Sequence, residues 1–158
     1  MPKTTVYVET TIIGHLKGRV VGNPIIAGRQ LITREWWPIA IERHQLFVSV
    51  LVADEAGGGD PEAAAERLDV VNTLEFLDIS AESDSLATQL MICHAIPETE
   101  PRDAAHVAIA AVHGIKYLVT WNFTHIANPT TRGKIEQVCR AAGFEPPIIC
   151  TPDELMEA

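Results

Sequence analysis

The sequence predicts an α/β fold, a three-layer sandwich in which helices cover both faces of a central parallel sheet. Short runs rich in β-branched and aromatic residues, such as "TTVYV" at 4–8 and "QLFVSV" at 45–50, alternate with longer segments of helical spacing. A later run, "IKYLVTW" at 115–121, is apolar throughout its middle, as expected of a strand covered on both faces. Strands alternating with helices of this length imply a parallel sheet. At 158 residues the chain suits a single domain, 1–158, burying roughly 70% of the surface its unfolded form would expose.

Each element has a local reason. The first strand, 4–8, is broken by Glu9, and a short helix runs from about Thr10 to near Gly18. A second helix covers Pro24–Arg43, where Ile25, Ile26, Leu31, Ile32, Trp36, Ile39 and Ala40 recur at helical spacing. The strand at 45–50 leads into two helices that meet at Gly57, Gly58 and Gly59. Asp60 is the N-cap of the later one and Pro61 its first position. "FLDIS" is a short third strand, 82–94 a helix, and 96–102 a loop with two prolines. A helix of small residues spans 103–113, ended by Gly114 in a left-handed C-cap. After the buried strand come a helix at 131–142, its stop at Gly143, the strand "PPIIC" and a Thr-capped last turn, "TPDELM".

Composition narrows the function. Hydrophobic residues make up 47% and charged residues 21%, which excludes an intrinsically disordered chain. Cys93, Cys139 and Cys150 are odd in number and lack metal-knuckle spacing, so reduced, buried thiols in a cytoplasmic protein are expected. The N-terminal stretch lacks the basic start and long apolar run of a signal peptide. No apolar segment approaches the roughly 20 residues that cross a bilayer, so no membrane partner is expected. The net charge of -9 repels a polyanion as a whole, and nucleic-acid binding must be local or use metal ions. The bases Lys17, Arg19, Arg29, Arg34 and Arg43 gather in one stretch, with only Glu35 and Glu42 among them.

Functional groups in an open parallel sheet gather beyond the carboxyl ends of its strands. Glu9 follows the first strand, Glu55 sits one turn into the helix after the second, Asp103 opens the small-residue helix, and Asn122 follows the buried strand. Converging carboxylates repel one another unless cations neutralise them, and oxygen-only ligands suit Mg²⁺ or Mn²⁺. An aspartyl-phosphate phosphatase would need a D-x-D nucleophile after the first strand, where this chain reads E-T-T.

"VYVETTIIG", "FVSVLVADEA" and "PRDAAHVAIAAVHGIKYLVTWNFTHIAN", in that order, resemble the PIN-domain family, in the form of VapC-like ribonucleases of type II toxin–antitoxin pairs. The resemblance covers almost the whole chain and extends to the ending "IICTPDELM". It implies a PIN-like fold and a metal-dependent endoribonuclease that hydrolyses phosphodiester bonds. Glu9, Glu55 and Asp103 would hold Mg²⁺ or Mn²⁺, while Asn122 and the hydroxyl of Thr11 would position water or a phosphate oxygen. Lys17, Arg19, Arg29 and Arg34 could track the RNA backbone, and His106, one helical turn from Asp103, could touch substrate. A small antitoxin and a second copy of the chain are the implied protein partners, the latter through the helices around Trp36. Adjacent Trp36 and Trp37 cannot both face one core. His125 and Asn128 are expected to stabilise the turn after the buried strand.

The family has Asp where this chain has Glu9, and an acid is common where it has the neutral Asn122. These two departures sustain an alternative, a catalytically weak PIN-like module that binds nucleic acid or protein.

Overall fold

The computed structural model describes residues 2–157. Strand β1 (Thr4–Val8) carries Val6, Tyr7 and Val8 wholly buried, because both its edges and both its faces are covered. On one edge it pairs in parallel with β2 (His44–Ser49), and on the other with β4 (Tyr117–Val119), Val6 lying between Leu46 and Tyr117. Parallel partners β3 (Glu75–Leu77) and β5 (Ile148–Cys150) complete a five-stranded sheet of order β3-β2-β1-β4-β5.

The helices divide between the two faces. Helix α1 (Thr10–Leu16) packs against α2 (Pro24–Arg43), α3 (Val50–Ala56) and α4 (Pro61–Val71). On the other side α5 (Ala81–Ile92) packs against α6 (Pro101–Val112) and α7 (Pro129–Ala141), and a 3₁₀ turn, Asp153–Leu155, ends the chain against α2. This is the expected three-layer sandwich. Among the described residues no helix is long and apolar enough to cross a membrane.

Two helix starts differ from the expected ones for the same reason. Helix α6 begins at Pro101 and α7 at Pro129, since proline suits the first helical position, where no N–H is needed. Asp103 is therefore the third residue of α6, and Glu100 takes the cap position. Asn128 caps α7, accepting from Thr130 N at 2.9 Å, in keeping with its expected turn role.

The buried face of α2 also differs from the apolar stripe. Gln30, Thr33, Trp36 and Ala40 face inward, while Ile25, Ile26 and Leu31 are exposed. The polar members tolerate burial because they are bonded: Gln30 accepts from Val21 N and donates to Arg19 O, and Thr33 accepts the Trp121 indole N–H. Trp36 packs in the core and Trp37 lies half-buried beside it, ring centroids 6.1 Å apart. All three cysteines are free thiols, and burial pushes Cys139 up to about 11 and Cys150 up to about 12.

One buried group gives the fold a pH dependence. His44, where α2 passes into β2, is buried with neither ring nitrogen bonded, and burial, aided by Arg43 and Lys3, lowers its pKa below 6.5. The folded state therefore favours the neutral ring, so the stability it contributes is complete above pH 6.5 and is lost as pH falls below that value. In urea titrations the midpoint should drop as pH falls below 6.5, and His44→Leu should flatten that drop; an equal drop in the variant would exclude His44 as its source.

Candidate functional site

The connections from β1 lead one way across the sheet and the later ones lead the other, which opens a crevice beyond the carboxyl ends of β1 and β4. Glu9 sits in it. Its backbone N–H extends the pairing by donating to Val119 O at 3.1 Å, and the residue is only 3% exposed. A carboxylate so buried must be bonded, and two hydroxyls donate to its Oε1: Thr11 at 2.5 Å and Thr120 at 2.6 Å. Each hydroxyl is itself held, Thr11 Oγ1 by Trp121 N–H at 2.8 Å and Thr120 Oγ1 by Asn122 N–H at 2.9 Å. The clamp thus ties the start of α1 to the exit of β4.

Glu55 reaches the same end of the sheet from α3. Its Oε1 accepts from Thr10 Oγ1 at 2.7 Å and lies 2.6 Å from His106 Nε2. Burial pushes this carboxyl up, but the hydrogen bond and charge of His106, helped by Thr10 and Arg102, outweigh it and hold the pKa below its ordinary value. With Glu55 ionised, Nε2 carries a proton and donates. The other ring nitrogen, Nδ1, lies 2.6 Å from Tyr7 Oη, which is 2.8 Å from Ser49 Oγ. Burial raises the Tyr7 pKa strongly, so its hydroxyl keeps its proton. Ser49, Tyr7, His106 and Glu55 form a continuous line from the end of β2 to the site.

Asp103 and Asn122 are linked through a residue expected only to brace the turn. His125 Nδ1 donates to Asp103 Oδ2 at 3.0 Å, while the His125 backbone N–H donates to Asn122 Oδ1 at the same distance. Asn122 therefore shapes the loop that aims His125 at Asp103, and its amide oxygen is spent doing so. Sequence reasoning missed His125 as a partner of Asp103, and Glu100 altogether. The Pro101 helix start was the available signal for Glu100, which it places one turn before Asp103.

The hydrogen bonding of the three nominated carboxylates is one-sided. Every bond goes to Glu9 Oε1, Glu55 Oε1 and Asp103 Oδ2, and among the described residues none reaches the second oxygen of any of them. Anchored carboxylates with a free oxygen are the donors a hard divalent cation requires. Glu9, Glu55 and Asp103 do not, however, close as a set to the spacing of a shared ion. Among the described residues the group with ligand atoms within 4.8 Å of one another is Glu100, Asp103 and His125. Its imidazole suits Mn²⁺ better than Mg²⁺.

The nominated substrate contacts separate into different roles. Lys17 and Arg19 are exposed at the end of α1 and beyond. Arg34 is spent on structure, its guanidinium donating to Leu16 O at 3.1 Å and Gly18 O at 2.7 Å, carbonyls at the end of α1. Arg29 lies over the rings of Trp121 and Phe123. His106 is wholly buried with both ring nitrogens engaged, so it cannot touch substrate and acts instead through Glu55. Compared with known family models, curated proteins and solved structures, the chain matches none.

His106→Asn would leave Glu55 without its main counter-group and Tyr7 without its ring partner. It should lower stability by about 1–3 kcal/mol in urea unfolding at pH 7. It should also reduce the loss of stability on acidification: the depressed Glu55 pKa stabilises the fold above its ordinary value of 4.5, and that stability is lost as pH falls through the folded value. A variant as stable as the parent, with the same acid limb, would exclude the pairing.

Proposed function

We propose that the chain is a metal-dependent endoribonuclease, acting as the toxin of a toxin–antitoxin pair in the cytoplasm. The observation that carries the reading is the one-sided bonding of Glu9, Glu55 and Asp103 around the crevice at the sheet's reversal point. The resemblance of the three segments to PIN-domain ribonucleases supports the substrate class. Asp103, with Glu100 and His125 beside it, would hold Mn²⁺ or Mg²⁺, and Glu9 and Glu55 stand at the same end of the sheet. A bound divalent ion supplies positive charge to the scissile phosphate and lowers the pKa of a water.

The protein's own groups account for the rest. Glu55, held ionised by His106, can take a proton at its free oxygen as water attacks phosphorus. The bond to the 3'-oxygen breaks, that oxygen takes a proton from solvent while Glu55 later returns its own to solvent, and the products carry a 5'-phosphate and a 3'-hydroxyl. Thr11 and Thr120 keep the Glu9 carboxylate fixed, so its charge adds to the field at this end of the sheet without reorganisation. Lys17, Arg19 and Arg29 supply local positive charge against the net charge of -9.

A second reading, a catalytically weak module that binds nucleic acid or protein, is favoured by one feature. The amide oxygen of Asn122 accepts from His125 N–H, so the fourth family position shapes the loop here and adds no charge to the site. The partner surface for a small antitoxin or a second copy would be the exposed apolar stretch Val20, Ile25 and Leu31, beside a pocket of about 450 Å³ lined also by Pro24, Ala27 and Arg34.

Purified protein should cut labelled, mixed-sequence single-stranded RNA with Mn²⁺ or Mg²⁺ and not with EDTA, and Asp103→Asn should slow cutting by roughly 100-fold or more. RNA retained but uncut with every metal would favour the binding module. In sedimentation, Leu31→Asp should shift an oligomeric parent towards monomer, and an unaltered assembly would remove this stretch as the contact.

A further inference from the structure

We propose that Phe123, Trp121 and Arg29 form a stacking subsite for an unpaired nucleobase beside the acidic crevice. The proposal rests on the reading of a nucleic-acid substrate and adds how that substrate is gripped.

Trp121 is the fixed part. Its indole N–H donates to Thr33 Oγ1 at 2.8 Å, and its backbone N–H donates to Thr11 Oγ1, the hydroxyl that clamps Glu9. His15 lies against it, ring centroids 6.0 Å apart, and is itself held by a 2.7 Å contact from Nδ1 to Thr11 O. Phe123 meets Trp121 edge-on, at 6.0 Å and 63°, yet is 43% exposed, whereas its neighbours Trp121 and Ile126 are buried. Its backbone is fixed by the loop in which Ile126 and Ala127 N–H groups donate to Asn122 O. Arg29 completes the shelf, its guanidinium carbon 4.9 Å from the Phe123 centroid and 5.7 Å from that of Trp121.

Among the described residues no acid pairs with Arg29, although the chain carries a net charge of -9. A planar cation stacked on an exposed ring offers one flat face to a base and N–H donors to its phosphate. Every base has a π-face, so such a shelf binds with little sequence preference. It requires an unpaired base, because duplex stacking hides that face. Phe123 directly follows Asn122, and Trp121 is one hydroxyl away from Glu9, so a stacked base would set the adjoining backbone beside the acids.

The test measures binding without cleavage: the full chain carrying Asp103→Asn, in EDTA, titrated into a fluorescein-labelled single-stranded RNA 12-mer and followed by anisotropy. Phe123→Ala should weaken binding by roughly tenfold, and Arg29→Ala by a similar factor that shrinks as salt is raised. Phe123→Tyr should retain binding, which separates stacking from a folding defect, and the Phe123 effect should vanish with an abasic oligomer. Equal binding by Phe123→Ala and its parent, or no binding by the parent, overturns the subsite. Cutting that depends on Asp103 with binding indifferent to Phe123 sinks the subsite and leaves the nuclease. Binding that depends on Phe123, with no metal-dependent cutting by the unsubstituted chain, does the reverse.

Discussion

The position of β1 at the middle of the sheet is the constraint on which the rest of the molecule depends. A strand paired on both edges and covered on both faces has no room for an unpaired charge, so its charge must wait for the first residue beyond it. That residue is Glu9, and the sheet's order reverses there. Chain from both directions converges on it: Thr11 from the following helix and Thr120 from just beyond β4 donate to its carboxylate, and the Trp121 N–H holds Thr11 in turn. The same few backbone steps therefore close the fold and assemble the acidic crevice.

Burying acids without cations is costly, and three devices offset the cost here. Hydroxyls donate to Glu9, an imidazole supported by Tyr7 and Ser49 donates to Glu55, and a second imidazole donates to Asp103. In each case one oxygen is tied down and the other left clear. One-sided anchoring fixes orientation while preserving capacity to bind, which is the property a metal or phosphate site needs.

The acidic total and the basic stretch between α1 and α2 also acquire meaning from geometry. Of the bases there, Arg34 caps α1, Arg29 lies on an aromatic shelf, and Lys17 and Arg19 remain at the surface. Charge in this region is divided between holding the helix pair together, lying over aromatic rings and facing outward. Nucleic-acid affinity in such a protein would be local and strongly dependent on salt.

The alternation of strand and helix patterns was enough to set the layered fold, the Pro24–Arg43 helix and the Asp60 cap, because each rests on local spacing and local hydrogen bonding. Glu9, Glu55, Asp103 and Asn122 were legible as candidates because each lies just past a strand end or in a helix at the carboxyl end of the sheet. The roles of His106 and His125 were not. Each histidine contacts groups distant in sequence, His106 reaching Tyr7 and Glu55 and His125 reaching Asp103. The inward face of α2 was misleading for a related reason, since Gln30 and Thr33 are buried by virtue of partners on other segments. Sequence alone determined which residues could begin, end or line an element, since those preferences act within a few positions. Tertiary structure alone decided which oxygen of each acid is held and which histidine holds it, because hydrogen bonds across the sheet's reversal point have no signature in spacing.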